Sequence, residues 1–321
     1  MFTVGRHVID PPVVLAPMEG VTDRAFRGVI RGLGGCGLTV TEFVSSEALT
    51  REVRAAWRMA EVDPDEHPVS IQIYGRDPER MAQAARFCQG LGADIVDINL
   101  GCPSKRVTSG CAGSALMREP ERTRRIFDAV YDAISIPMTV KMRLGWDLDV
   151  VNAPEIAREA QDAGARMVTV HGRSRMCMYK GAARWDLVRQ VRNAIDIPLL
   201  VNGDIVDAAS ARQALAQSGA DGVMIGRAVM TDPWTLARVS HELHGTPFHE
   251  PSWADRRALL DAYIDRMSAF GEIDRRALGK LRRVLGYLVK GIPNGARLRQ
   301  ELNSMRDLSH AKQTLDVYIT A

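Results

Sequence analysis

Between Val13 and Gly226 the chain repeats one pattern: a short apolar run, in all but the second a glycine or proline at its exit, and then a stretch of helical character. The runs are Val13–Pro17, Leu38–Val44, Val69–Gly75, Ile95–Leu100, Met138–Gly145, Arg166–Gly172, Leu199–Gly203 and Asp221–Gly226. Most are entered through Gly-Ala (92–93, 164–165, 219–220) or X-Pro (67–68, 136–137, 197–198), dipeptides that end whatever helix precedes them. Eight strand-then-helix units predict an α/β fold, a (β/α)8 TIM barrel. A doubly wound sheet is the competitor, but it concentrates glycines in an early GxGxxG, and none follows Val13–Pro17. Asp23 and Asp77 are placed to cap helices, the second with Pro78 in its first turn, and Glu47–Met59 reads as one helix.

The repeat stops at His244–Ser252, where Pro, Gly, His and Phe mark a linker. From Trp253 onward the periodicity is helical, so a barrel over residues 1–245 and an all-helical domain over residues 252–321 are expected. Charge divides along the same line. The chain carries +3 overall, yet residues 252–321 hold 13 Lys and Arg against 8 Asp and Glu, a net of +5 that leaves −2 for the rest. Within Asp274–Lys290, Leu278, Leu281, Leu285 and Leu288 share one helical side, and Arg276, Lys280, Arg283 and Lys290 the other. A core stripe explains the leucines; a purely basic opposite face points to a polyanionic partner, although such a bias also occurs on solvated helices.

The five cysteines are scattered and lack CxxC or Cys/His spacing, which argues for a reducing compartment and against a zinc site. With no signal-like N-terminus and no apolar run long enough for a bilayer, the expectation is a cytoplasmic protein with no membrane association and no metal.

Barrel enzymes place their chemistry at the carboxyl ends of the strands, so the polar residues there are candidates together. They are Pro17 and Met18, Gln72, Asn99 and Cys102, Lys141 and Arg143, His171, Asn202 to Asp204, and Gly226-Arg227. Cys102 follows a buried strand in a Gly-Cys-Pro loop and reads as an exposed reactive thiol; a buried structural cysteine is the alternative. Asp97 and Asn99, two apart, share a face of that strand. Lys141 and Arg143 also share a face, and burying two like charges calls for an anionic ligand or a counter-charge. Asn202-Gly203-Asp204 and Gly226-Arg227 close the last two strands, where many barrels hold a phosphate.

These residues resemble the flavin-dependent tRNA-dihydrouridine synthases. The resemblance rests on Ala16 to Asp23 (APMEGVTD), Gln72, Asn99 to Lys105 (NLGCPSK), Gly113 to Leu116 (GSAL), Lys141 to Trp146 (KMRLGW), His171-Gly172-Arg173, Asn202 to Ile205 and Ile225-Gly226-Arg227. The elements are collinear and span the barrel; the helical part resembles the family's RNA-binding domain more weakly. The segment around Lys280 to Gly295 is closest to the bacterial B-type branch.

The resemblance implies FMN across the barrel mouth, touched by Pro17 and Met18 and bonded at its pyrimidine edge by Gln72. Lys141 would lie near its N1/O2 side, and His171, Asn202, Gly203, Asp204, Gly226 and Arg227 along the ribityl chain and phosphate. Asn99, Arg143 and Tyr179 match positions that hold the target uracil, and Cys102 the catalytic acid. It also implies NADPH (or NADH) as reductant and tRNA as partner; a monomer is expected. A free thiol titrates near pH 8.5 and is mostly protonated at neutrality, as an acid must be. Lys105 and Arg106 are expected to face RNA phosphate. Cys111 departs from the family's usual small or apolar residue and offers a second thiol. The competing readings are a dihydroorotate-dehydrogenase-like FMN barrel acting on a free pyrimidine, a non-redox phosphate-binding barrel, and a non-catalytic RNA-binding barrel.

Overall fold

The computed structural model describes residues 1–270, 275–289 and 294–318, with 275–277 and 280 in backbone only. Eleven strands occur among them: β1 (Phe2–Val4), β2 (His7–Ile9), β3 (Val13–Leu15), β4 (Leu38–Val40), β5 (Val44–Ser45), β6 (Val69–Tyr74), β7 (Ile95–Leu100), β8 (Met138–Arg143), β9 (Val168–His171), β10 (Leu199–Asn202) and β11 (Gly222–Ile225). Strands β3, β4 and β6 to β11 pair in parallel, and β11 returns to β3, closing an eight-stranded barrel. Each barrel strand is connected to the next through helix, the (β/α)8 arrangement expected from the repeat.

Two local expectations change. The run Leu38–Val44 is not one strand: β4 ends at Val40 and β5 resumes at Val44, pairing with the far end of β6. Glu47–Met59 is not one helix either but two, Ser46–Thr50 and Arg54–Ala60. The break is at Glu52, whose φ of 55° is left-handed and incompatible with continuing an α-helix. Periodicity sees apolar spacing across such a break and cannot see the break. The caps form as expected, Asp23 accepting from the Phe26 amide at 2.7 Å and Asp77 from that of Arg80 at 2.9 Å.

The barrel interior is graded along its axis. At the amino-terminal end Val14, Leu38, Ile95, Met167, Leu200 and Met224 pack with Phe2, Val4 and Ile9, so the β1–β2 hairpin stoppers the barrel with apolar side chains. Toward the carboxyl ends the inward positions become polar: Gln72, Asp97 and Asn99, Thr139 and Lys141, Thr169 and His171, and Asn202, all buried. A second apolar cluster fills the layer between the barrel and its helices and continues without a break into the C-terminal helices.

Those helices span Trp253–Ala269, Arg275–Leu288, Gly295–Ser304 and Leu308–Tyr318. Ser252 and Asp255 form a reciprocal capping box at the first. Tyr263 anchors it on the barrel, its ring edge-on to Phe26 at 6.3 Å and its hydroxyl donating to Asp23 at 3.3 Å. In the second helix Leu281, Leu285 and Leu288 are buried as the stripe requires, together with Val284, while Leu278 is half-buried. Arg283, on the expected basic face, is exposed; the side chains of Arg276 and Lys280, and all of Lys290, lie outside the described residues. No helix among the described residues is long and apolar enough to cross a membrane.

Candidate active site

A cavity of about 820 Å3 opens at the carboxyl end of the barrel, within the range of small-molecule sites. All the candidate residues from the strand ends line it: Pro17, Met18, Gln72, Asn99, Cys102, Lys141, Arg143, His171, Asn202, Gly203, Asp204, Gly226 and Arg227; so does Tyr179, which the resemblance added. Arg283 and Tyr287 of the second C-terminal helix complete the rim. Cys111, by contrast, does not line it.

Cys102 differs from the expected exposed thiol. It is 9% accessible, in the cavity wall rather than on the surface. Asn99 causes this: its Oδ1 accepts the amide protons of Gly101 (3.0 Å) and Cys102 (2.9 Å), turning the chain back over the end of β7. From below, Ser114 donates its hydroxyl to the Cys102 carbonyl at 2.8 Å and its amide at 3.2 Å. The thiol lies 3.5 Å from the Ser104 hydroxyl. Of the two basic residues beyond it, Lys105 is exposed and Arg106 forms an ion pair with Glu19 on the cavity rim.

The two cations of β8 are held differently. Arg143 donates to three carbonyls, from Nε to Gly101 at 2.7 Å and from Nη1 to Ser174 at 2.9 Å and Met178 at 2.8 Å. Backbone dipoles thus stand where a counter-ion was expected, and Arg143 ties the Cys102 turn to the loop after β9. Lys141 donates to Asn202 Oδ1 at 3.1 Å, and among the described residues no carboxylate lies in ion-pair contact with it. Burial, with Arg143 adding to it, depresses the Lys141 ammonium to about 8. A buried cation without an ionic partner beside an open cavity fits an anionic ligand.

His171 is held well below its ordinary value by burial and then by Arg143, Lys141, Arg173 and Arg227, so it is neutral at physiological pH. Arg173 Nη1 lies 3.3 Å from its Nε2, which makes Nε2 the acceptor and leaves the ring proton on Nδ1. Arg173 also binds Asp204 at 2.5 Å, and Arg227 reaches the other oxygen at 3.3 Å. Burial alone would raise the Asp204 carboxyl, but these bonds and charges bring it below the usual carboxylate range. Gly203, at φ +109°, is where only glycine serves: a Cβ there would come within 2.6 Å of His171 Cδ2. Tyr179 is half-exposed, with the guanidinium carbons of Arg227 and Arg143 at 5.0 and 5.5 Å from its ring centre.

Sequence reasoning left several contributors without a role. Asp97 accepts from Gln72 Nε2 and from Thr139 Oγ1, both at 2.6 Å, and burial pushes its carboxyl above the usual range despite those bonds and nearby Lys141. Spacing marks its face but not its partners. Ser114 sits in the GSAL element, but its contact with the Cys102 carbonyl and the place of Tyr287 on the rim depend on how distant segments return.

Fold and site together define an enzyme of the TIM-barrel class with a cationic cavity and a thiol in its wall. A family model described as Dihydrouridine synthase (Dus) matches residues 14–321. The chain is 37% identical over 325 residues to a probable tRNA-dihydrouridine synthase of Rickettsia conorii, with 100% of this chain and 97% of that one covered. It is 50% identical over 240 residues to a probable tRNA-dihydrouridine synthase of Rhodobacter capsulatus, covering 74% and 73%. The tRNA-dihydrouridine synthase B of Xanthomonas axonopodis pv. citri is 40% identical over 302 residues, covering 94% and 90%. The chain belongs to the dihydrouridine synthase family.

Proposed function

We propose that this enzyme reduces the C5–C6 bond of uridines in tRNA to 5,6-dihydrouridine, with FMN in the barrel-mouth cavity and NADPH (or NADH) as reductant, in the cytoplasm. The observation that carries the reading is the convergence, in one cavity, of a thiol, a buried lysine without an ionic partner and a cluster of phosphate-suited groups at the ends of β10 and β11.

The residues present fit FMN. Lys141, bonded to Asn202, would face the electron-rich ring edge, Gln72 its pyrimidine side, and Pro17 and Met18 its surface, with Asn202 itself on the ribityl side. Gly203, Gly226 and Arg227, with His171 and Asp204, would hold the ribityl chain and phosphate; the open floor that Gly203 keeps beside His171 supports this placement. When bound, FMN supplies the hydride for uracil C6. Cys102 Sγ then gives its proton to C5 and is reprotonated from solvent, so that one hydride and one proton together saturate the bond. Asn99 and Arg143 orient the base and Tyr179 stacks against it.

A uridine within folded tRNA must be turned out to reach this depth, at a cost of a few kcal/mol recovered by contacts elsewhere. We assign those contacts to a catalytic barrel of residues 1–245 acting with a basic helical domain of residues 252–321, whose Arg283 and Tyr287 already border the cavity. The test is dihydrouridine content of tRNA from a deletion strain, complemented by wild type or by Cys102→Ala. Dihydrouridine restored by wild type alone supports the reading; no change in tRNA on deletion overturns it.

A further inference from the structure

Four buried side chains on three adjacent strands form a hydrogen-bonded chain that runs in one direction. Thr139 Oγ1 donates to Asp97 Oδ1 and Gln72 Nε2 to Asp97 Oδ2, each at 2.6 Å. Asn99 Nδ2 donates to Gln72 Oε1, also at 2.6 Å, and Asn99 Oδ1 receives the amide protons of Gly101 and Cys102 at 3.0 and 2.9 Å. None of the four is more than 5% accessible. The parallel register explains the meeting: Gln72, Asp97 and Thr139 are Cα partners in one row, and Asn99 and Lys141 pair in the next row toward the mouth.

An amide side chain has two orientations that differ only by exchange of its oxygen and nitrogen, and packing barely distinguishes them. A carboxylate does distinguish them, because it only accepts. With Asp97 below it, Gln72 must point its nitrogen down and its oxygen toward Asn99. Asn99 must then answer with its nitrogen, and its oxygen is left facing the Cys102 turn. Were either amide reversed, Asn99 would set a donor against the two amide protons it now receives, and the turn would lose both bonds.

We infer that Asp97 is a positioning residue for the reaction: it fixes the polarity of Gln72 and Asn99 and thereby holds the Cys102 turn, although it touches neither the turn nor the thiol. The inference rests on the proposed function for its kinetic part only. It also sets what a ligand meets, since the second N–H of Gln72 and of Asn99, and the second lone pair of Gln72 Oε1, face fixed directions.

The test is amide hydrogen exchange by NMR on the full-length protein without cofactor or tRNA, together with steady-state reduction of tRNA by the FMN-loaded enzyme. In Asp97→Ala, exchange at Gly101 and Cys102 should rise by about tenfold or more with the barrel strands still protected. The kcat for tRNA should fall while KM for tRNA holds. Asp97→Asn, which keeps the volume but can offer Gln72 either an oxygen or a nitrogen, should recover neither in full, because an amide no longer fixes the direction of the chain. Asp97→Ala combined with Asn99→Ala should be no worse than Asn99→Ala alone. Unaltered exchange at residues 101 and 102 in Asp97→Ala, or losses that multiply in the double variant, overturns the inference. Should Asp97→Ala not fold, Gln72→Leu cuts the same chain at its middle, and unaltered exchange there overturns it equally. Wild type inactive on tRNA but showing the exchange pattern would indict the proposed function instead.

Discussion

Replacing Lys141 by methionine should stabilise the cofactor-free protein and weaken the FMN-loaded one. Burial depresses the folded-state ammonium to about 8, and against an unfolded value near 10.4 the difference corresponds to roughly 3 kcal/mol at neutral pH for keeping the charge inside. Methionine approximates the length of the lysine stem, so little cavity is created. Loss of the bond to Asn202 returns about 1 kcal/mol. The net is roughly 2 kcal/mol of added stability at pH 7, about 3 °C in the melting temperature for a chain of this size. The sign reverses with ligand, because FMN stabilises in proportion to its occupancy and the variant lacks the cation that would meet its electron-rich edge. It also depends on pH in a fixed direction. As pH rises through about 8 the folded wild type releases this proton, while the unfolded chain holds it to about 10.4. Wild-type stability therefore climbs across that window, and its deficit against Lys141→Met closes. Differential scanning calorimetry of both proteins, with and without FMN, across pH 7 to about 10 reads all three effects. A cofactor-free variant less stable than wild type at pH 7, or a gap that does not change with pH, refutes the reasoning.

Cys102→Ala should bind FMN and accept electrons from NADPH yet lose about 10²- to 10⁴-fold in dihydrouridine formation, whereas Cys111→Ala, outside the cavity, stays active; mass spectrometry of digested tRNA decides between the two thiols. Gly203→Ala should shed FMN on desalting, because its Cβ meets His171 at 2.6 Å and its φ of +109° is strained for any side chain; wild-type flavin content would count against the placement. Changing Arg276, Lys280, Arg283 and Lys290 together to Gln should weaken tRNA binding and flatten the slope of log K against log salt by roughly 0.7 to 0.9 per lost phosphate contact. Flavin reduction by NADPH should be untouched, and identical slopes in filter binding would mean that this face is only solvated.

The barrel was legible because most strands carry their own punctuation: an X-Pro or Gly-Ala before them and a glycine or proline after. The candidate residues were legible for the same reason, since a barrel gathers whatever ends its strands. What could not be read was anything set by one residue's dihedral or by register across strands. Glu52 ends a helix that the apolar spacing continues. The β1–β2 hairpin is too short to show periodicity, and its purpose, sealing the barrel floor with Phe2, Val4 and Ile9, exists only once the barrel closes. The cysteine turn looked exposed because Gly-Cys-Pro is loop chemistry. Its burial comes from Asn99 and Ser114, and a sequence does not state that their bonds meet on one backbone segment.

The gradient inside the barrel shows why site and stability occupy opposite ends. At the amino-terminal end apolar side chains meet at close packing, and burial there stabilises at roughly 25 cal/mol per Å2 of apolar surface. Toward the mouth the inward positions hold Asp97, Lys141, Arg143 and His171, each shifted away from its ordinary titration by burial before any other cause. Hydrogen bonds within the protein satisfy Asp97 and Arg143. They do not supply Lys141 with a charge, and His171 stays neutral among cations. The part of the desolvation that the protein leaves uncompensated is therefore concentrated on one ammonium at the cavity wall, where an anionic ligand can offset it. Affinity for an anion at this wall and the instability of the empty barrel then have the same physical origin, and a substitution at Lys141 that removes its charge removes both.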